Sequence, residues 1–82
     1  MRIIDVDRRQ SVRSAQLYFS VREAREIISQ LGRLLADPER REHFHVLDDG
    51  GTTREISCSI ITRTKLDHGS YTPVERRVLD ED

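Results

Sequence analysis

The sequence is poor in several residue types, and each shortage excludes a class of protein. It has one cysteine, Cys58, so no disulfide can form within the chain. No apolar run approaches the roughly 20 residues that a membrane-spanning helix needs. The first residues carry acids where a secretory signal peptide needs an apolar segment. These features together predict a cytoplasmic protein, because disulfide-rich and exported proteins belong to other compartments.

The charges are nearly balanced, with 14 Lys+Arg against 15 Asp+Glu and a net charge of -1. Dedicated nucleic-acid-binding proteins are usually clearly basic, so this balance argues against that class. All the basic residues except Lys65 are arginines, and they are spread along the whole chain. That spread is typical of a compositional bias, whereas phosphate binding needs arginines clustered on one side.

The chain of 82 residues is long enough for one domain but not for two. We predict a single domain over residues 1–82, with a frayed acidic end at residues 80–82. The apolar residues are patterned and the charges are mixed, which argues against disorder. A domain of this size folds alone only marginally, so a second chain that covered exposed apolar surface would stabilise it.

The strongest local signal predicts one long helix over residues 21–36. Ser20 and Glu23 have the spacing of a capping box, in which each side chain accepts a hydrogen bond from the other residue's amide. Pro38 disfavours helical geometry at Asp37 and so ends the helix. Apolar residues recur at helical spacing on one side, which we expect to face the core. They are Val21, Ala24, Ile27, Ile28, Leu31, Leu34 and Leu35.

Gly32 lies at the border of this apolar side. A glycine inside a helix costs about 1 kcal/mol relative to alanine. Close approach of a strand or of a partner would explain it, and so would a tolerated imperfection.

Four short segments alternate apolar and polar residues, which predicts strands with one buried face. The expected inward-facing residues are Ile4 and Val6 in the first, Ala15, Leu17 and Phe19 in the second, Phe44 and Val46 in the third, and Ile56, Cys58 and Ile60 in the fourth. Near the end, Thr72, Pro73 and Glu75 mark the start of a short helix over residues 73–79. We therefore predict an α+β fold, a two-layer antiparallel sheet of about four strands with the long helix on one face (ββαββ) and a short C-terminal helix.

The third and fourth strands should form a hairpin through the segment Asp48-Asp49-Gly50-Gly51-Thr52. Since Phe44 and Ile56 must lie on the same face, the loop needs an odd number of residues, either three or five. The glycines favour the three-residue form. In that register His45 lies opposite Glu55.

Two histidines, His43 and His45, should project from the same strand face, as metal ligands sometimes do. A metal site needs a third ligand, but Cys58 should point to the opposite face. His68 lies in a loop predicted over residues 65–70, and nothing in the spacing brings it to the histidines. We therefore expect exposed strand histidines and no metal.

The sequence offers no set of residues typical of catalysis. We find no Ser-His-Asp arrangement, no phosphate-binding glycine loop and no paired carboxylates suited to acid–base chemistry. Cys58 lies between Ile56 and Ile60 on its strand face, which predicts a small buried side chain rather than a nucleophile. We expect a protein that is not an enzyme and that uses no cofactor.

The sheet face opposite the long helix should carry apolar residues and histidines, and such a face is suited to binding a protein partner or a second copy of the chain. The predicted partner-binding residues are Tyr18, His43, His45, Leu47 and Ile61. An alternative is a nucleic-acid-associated regulator that uses an N-terminal arginine patch. The arginines of this alternative are Arg8, Arg9, Arg13 and Arg25.

The stretch from Ser20 to Ile61 resembles a known type of protein. Its capped helix is followed by Glu42-His43-Phe44-His45-Val46-Leu47-Asp48, a glycine turn and a β-rich segment. In this order it resembles small uncharacterised bacterial α+β proteins, and it is similar to some immunity proteins of polymorphic toxin systems. The resemblance implies a bacterial protein that binds and blocks a toxin without catalysis. It covers half of the chain and carries over no functional residue, although it rests on His43 and His45.

Overall fold

The computed structural model describes residues 1–40, 43–50 and 54–81, and within these ranges the chain is an α+β protein, as predicted. Glu42, at the start of the segment that carries the resemblance, and Asp82, in the predicted frayed end, lie outside the described residues. The elements are β1 (Ile4–Asp5), β2 (Gln10–Ser11), α1 (Val21–Ala36), β3 (His43–Leu47), β4 (Glu55–Ser59), α2 (Arg63–His68) and α3 (Pro73–Leu79). They fall into two compact units, the first made of residues 1–17 and 68–82 and the second of residues 18–67.

The prediction of one four-stranded sheet is wrong, because the described strands form two separate antiparallel pairs, β1–β2 and β3–β4. The second strand, predicted around Ala15, Leu17 and Phe19, is absent, and residues 14–20 have no regular structure. All three of these residues are exposed. An alternating pattern becomes a strand only where a neighbour supplies hydrogen bonds and a covering layer.

A tight turn explains why β1 pairs with β2 instead. Asp5 Oδ1 accepts hydrogen bonds from the amides of Asp7 and Arg8, both at 3.1 Å. Arg9 takes a left-handed conformation, with φ 55°, and its amide donates to the Asp5 carbonyl at 2.8 Å. An aspartate that binds the amides after it favours a turn, so the chain reverses before the alternating segment begins.

The first unit is completed by α3, whose bounds confirm the predicted helix. Thr72 and Glu75 form a capping box, with the Thr72 amide 3.0 Å from Glu75 Oε1 and the Glu75 amide 3.2 Å from Thr72 Oγ1. Val78 is buried in this unit. Arg77 Nη2 donates to the Arg9 carbonyl at 2.7 Å, which ties α3 to the β1–β2 turn.

The long helix α1 is confirmed at both ends. Ser20 Oγ accepts from the Glu23 amide at 3.1 Å, and Glu23 Oε1 accepts from the Ser20 amide at 2.7 Å. The helix ends at Ala36, and Asp37 before Pro38 leaves helical geometry. Both signals are local in the sequence, so they act wherever the rest of the chain packs.

The core of the second unit lies between α1 and one face of the β3–β4 hairpin. Leu34, Phe44 and Val46 are buried there, and Ile27, Cys58 and Ile60 pack against them at partial exposure. The burial alternates along both strands, with the even-numbered residues inward. This confirms the predicted faces of the third and fourth strands.

The hairpin register differs from the predicted one by two residues. His45 pairs with Ser57 and Leu47 with Glu55, and the Asp48 amide donates to the Arg54 carbonyl at 3.1 Å. This register leaves five residues, 49–53, between Asp48 and Arg54, and the expected pairing of His45 with Glu55 is wrong. The predicted glycine turn reaches into residues 51–53, which lie outside the described residues. A shift of two keeps every side chain on its face, so the apolar pattern fits both registers.

The loop predicted over residues 65–70 is wrong in its first half, where α2 forms. Thr62 Oγ1 accepts from the Lys65 amide at 3.2 Å, which is the geometry of a helix cap. Lys65 is 6% exposed, and its Nζ donates to the Ile60 carbonyl at 2.7 Å. A lysine can take such a buried position because its long aliphatic stem packs while its amine finds an acceptor.

Much of the apolar side of α1 is not covered. Of the seven predicted core residues, only Leu34 is buried, while Ala24 and Ile27 are half-buried. Two strands lie only about 5 Å apart, whereas a helix with its side chains is about 10 Å across. A two-stranded sheet therefore covers only part of the apolar side. The exposed remainder, hereafter the α1 stripe, consists of Val21, Ile28, Leu31 and Leu35.

Among the described residues, no helix combines the length and the apolar composition that crossing a bilayer requires.

Candidate protein-binding site

The predicted partner-binding residues all belong to the second unit, and all are exposed. His43, His45 and Leu47 lie on the face of β3 that points away from α1. Tyr18 precedes α1 and Ile61 follows β4, so neither is part of the sheet. The structure thus brings three of the five residues onto one strand face, and their role in binding stays a prediction.

Three polar side chains form a hydrogen-bonded cluster on this face. His45 Nδ1 lies 2.6 Å from Glu55 Oε1 and 2.8 Å from Ser57 Oγ, and Ser57 Oγ donates to Glu55 Oε1 at 3.3 Å. With its proton on Nδ1, His45 donates to the carboxylate, as a cross-strand pair should. The ring of His43 stands edge-on to that of His45, with centroids 4.8 Å apart. His45 and Glu55 therefore contact each other diagonally across the strands, although the two residues are not directly paired.

The cluster has the residue types of a catalytic triad but a different geometry. In a triad, the nucleophile and the acid contact opposite nitrogens of the histidine ring, so that one nitrogen takes the proton of the nucleophile while the acid stabilises the charged ring. Here Ser57 and Glu55 both contact Nδ1. On the opposite face, burial raises the pKa of the Cys58 thiol, which disfavours the nucleophilic thiolate. Within the described ranges, no three His, Cys, Asp or Glu side chains are grouped as metal ligands would be.

The cluster makes stability depend on pH through Glu55. The hydrogen bond from His45 holds the pKa of the Glu55 carboxyl below its ordinary value. A lowered pKa in the folded state gives stability that is present above the ordinary glutamate pKa and is lost as the pH falls through the lowered pKa. We expect Glu55→Gln to remove this contribution, so that stability falls less steeply with acid than in the wild type. Chemical denaturation at a series of pH values measures the difference.

Glu81→Gln provides the control for this experiment, because Glu81 is an exposed carboxylate in the other unit. Glu81→Gln should leave the pH dependence of the second unit's stability unchanged. An identical acid-side slope for Glu55→Gln and the wild type would contradict the role assigned to Glu55.

The arginines of the nucleic-acid alternative are divided between the two units. Arg8, Arg9 and Arg13 belong to the first unit and Arg25 to the second. Arg8 lies 3.9 Å from Asp5, and Arg13 borders a depression of about 540 Å³ that Glu81 also lines. The nucleic-acid alternative stays a prediction.

The charge of each unit bears on that alternative. The sequence gives the first unit six arginines and six acids, and the second unit eight basic residues and nine acids. Neither unit has the excess of positive charge by which proteins attract a phosphate backbone.

A set of contacts that sequence reasoning missed fixes the hairpin to the start of α1. Arg22 donates from Nε to Asp49 Oδ1 at 2.5 Å and from Nη2 to the Leu47 carbonyl at 2.9 Å. Glu23, besides capping α1, accepts from the Asp49 amide through Oε2 at 2.9 Å. The bond from Arg22 also lowers the pKa of the Asp49 carboxyl. Such long-range pairs have no spacing rule in the sequence, so no local signal reveals them.

The α1 stripe is the second candidate surface. Val21 is 68% exposed, Ile28 72% and Leu35 66%, and they follow one another at intervals of seven residues. Residues seven apart lie within about 20° of each other around a helix. They therefore form one continuous apolar row along α1. The spacing of seven is visible in the sequence, but the sequence alone does not tell that this row stays outside the core.

Comparison with protein-family models, with curated proteins and with solved structures gave no significant match to this chain.

Proposed function

We propose that the protein is a non-enzymatic protein-binding module whose binding surface is the α1 stripe. One observation carries this proposal: large apolar side chains are exposed in a row on α1, the longest of the described helices. Three of the four side chains are between 66% and 72% exposed, and a contiguous exposed apolar patch on a monomer is often functional.

The outer face of β3–β4 is the weaker candidate for this role. Leu47 is its only large apolar side chain among the described strand residues, and it is 46% exposed. His45, Glu55 and Ser57 already satisfy one another there. Polar groups paired in this way must be desolvated before a partner can cover them, which weakens binding. The similarity to immunity proteins fits a binding role, but the proposal does not depend on it.

Quantitative co-purification with two matched variants tests the proposed function. Ile28→Glu puts a charge in the centre of the α1 stripe, and Leu47→Glu puts the same charge on the sheet face. Tagged wild type and both variants are expressed in the native cells beside an untagged copy of the chain, and co-purified proteins are quantified. We expect a protein, whether the untagged copy or another, that is lost with Ile28→Glu and retained with Leu47→Glu.

Two results would contradict this proposal. One is a set of co-purified proteins that is the same for all three forms of the chain. The other is selective loss with Leu47→Glu, which would restore the sheet face as the binding surface. Circular dichroism of each variant checks that α1 is intact, since both substituted residues are exposed in the wild type.

A further inference from the structure

The α1 stripe has the properties of a surface that binds itself. We propose that it binds the α1 stripe of a second copy of this chain, with the two helices antiparallel and crossing at Ile28 on a two-fold axis. This inference rests on the proposed function and names its partner. A two-fold interface brings the same patch of each copy together, so the patch must be complementary to itself.

The side-chain sizes along the stripe meet that requirement. In an antiparallel pair centred on Ile28, Val21 of one copy lies level with Leu35 of the other. Ala24 lies level with Gly32 in the same way, because both pairs are equidistant from the centre in the sequence. Large residues therefore meet large ones at the two ends, and small residues flank the central isoleucine. Leu31 lies level with Arg25 of the other copy, whose aliphatic stem can pack against it. Small residues on both sides of a crossing point let two helix axes approach closely.

Gly32 supports this arrangement independently of the apolar row. It lies one helical turn from Ile28 on the exposed side of α1, and a Cβ added there would have no atom within 4 Å. Packing inside the chain therefore does not require a glycine, although glycine costs about 1 kcal/mol relative to alanine in a helix. A partner helix crossing at Ile28 would occupy this open space.

The length and exposure of the stripe suit the centre of an interface between two copies. Val21 and Leu35 lie 14 residues apart, about 21 Å along α1, and these two residues and Ile28 are each between 66% and 72% exposed. A standard complex buries roughly 800 Å² on each partner, with an apolar centre and a polar rim. The α1 stripe would supply the apolar centre, and adjoining residues of the second unit would supply the rim.

Electrostatics favour the antiparallel orientation over the parallel one. Arg25 is the charged residue nearest the open border of the stripe, next to Val21 and Ile28 on the helix surface. A parallel pair would place the two Arg25 side chains level with each other, whereas the antiparallel pair separates them by about 9 Å along the axis. The helix dipoles also oppose each other in the antiparallel pair, which is the favourable arrangement.

Sedimentation equilibrium on the full chain tests the association. We expect a mass of twice 9.6 kDa at the concentrations used for NMR spectroscopy. Ile28→Glu should raise the dissociation constant about 30-fold or more, as expected for the loss of a central hot spot. Leu47→Glu should leave it within about 3-fold of the wild type, because rim or uninvolved residues contribute little.

Cysteine cross-linking tests the orientation, in a Cys58→Ser background. Ile28→Cys should form a disulfide between two copies, because residues on a two-fold axis come within disulfide distance. Val21→Cys should cross-link only when it is mixed with Leu35→Cys. Cross-linking of Val21→Cys with itself would indicate a parallel pair and overturn the proposed geometry.

The failure of this inference and the failure of the proposed function give different results. A wild-type chain that sediments as a monomer overturns self-association, and so does a dimer that only Leu47→Glu dissociates. If the chain is a monomer but another protein co-purifies in a stripe-dependent manner, the proposed function alone survives. If the chain is a monomer and no protein depends on the α1 stripe, both proposals are wrong.

Discussion

Replacing Phe44 with alanine is expected to destabilise the second unit by about 3–5 kcal/mol, the cost of emptying a buried aromatic position. Phe44 is 7% exposed and packs with Leu34 and Val46, which are the other buried apolar residues described in this unit. Domains have about 0.05–0.15 kcal/mol of stability per residue. A chain of 82 residues therefore has about 4–12 kcal/mol of stability in all, of which this one side chain contributes a large share. We expect Phe44→Ala to loosen the hairpin from α1.

An outward-facing residue of the same strand provides the control for Phe44. Leu47 lies on the opposite face of β3 and is 46% exposed, so Leu47→Ala should cost less than about 1 kcal/mol. Urea denaturation followed by circular dichroism, together with hydrogen exchange of the β3 amides, measures both variants. An equal loss of unfolding free energy for Phe44→Ala and Leu47→Ala would show that the face of β3 that carries Phe44 is not the buried face.

Replacing Glu23 with alanine is expected to have the second largest effect, about 2–3 kcal/mol. Its carboxylate accepts one bond from the Ser20 amide and another from the Asp49 amide, at 2.7 and 2.9 Å. The substitution removes these two bonds, and in such partly exposed positions each contributes about 1–1.5 kcal/mol. The Ser20 hydroxyl still accepts from the backbone amide of residue 23, so the N-cap itself remains. We expect faster hydrogen exchange both in the first turn of α1 and at Asp49.

The second capping box separates these two roles. In α3 the Glu75 carboxylate accepts only the corresponding bond from the Thr72 amide, while the bond from the Glu75 amide to Thr72 Oγ1 is a backbone bond that the substitution keeps. Glu75→Ala should therefore cost about 1 kcal/mol, the value of one such bond. The loss of unfolding free energy that Glu23→Ala shows beyond that of Glu75→Ala measures the contribution of the bond between Glu23 and the Asp49 amide. If hydrogen exchange at Asp49 is unchanged in Glu23→Ala, that link does not stabilise the hairpin.

The sequence predicts best those features that are decided within a few residues. The first residues of α1 and α3 follow from Ser20 with Glu23 and from Thr72 with Glu75, because a capping box acts on its own helix turn. The inward faces of β3 and β4 follow from the alternation around Phe44, which holds whatever covers the sheet.

Features that depend on distant partners could not be predicted in this way. The alternating segment around Leu17 lacks a pairing strand, because the turn at Asp5 directs β1 to β2. His45 pairs with Ser57 rather than with Glu55, and both registers keep Phe44 inward. Lys65 looks like a loop residue until the Ile60 carbonyl that holds its amine is known.

The same difference between local features and features that depend on distant partners applies to the two candidate surfaces. Period-two alternation placed His43, His45 and Leu47 on one exposed face, and the structure confirms this placement. The period of the helix identified the apolar residues of α1, but it could not tell how wide a sheet would cover them. The exposed row at Ile28 results from that width, so only the three-dimensional structure reveals it.

The position of Lys65 has a consequence for the chemical reactivity of the chain. It is the one lysine in the sequence, and its amine is enclosed beneath the second unit's surface and bound to a carbonyl. An enzyme or reagent that acylates lysine side chains therefore finds no accessible target while this unit is folded. The rate of acylation at Lys65 would therefore measure how often this unit opens.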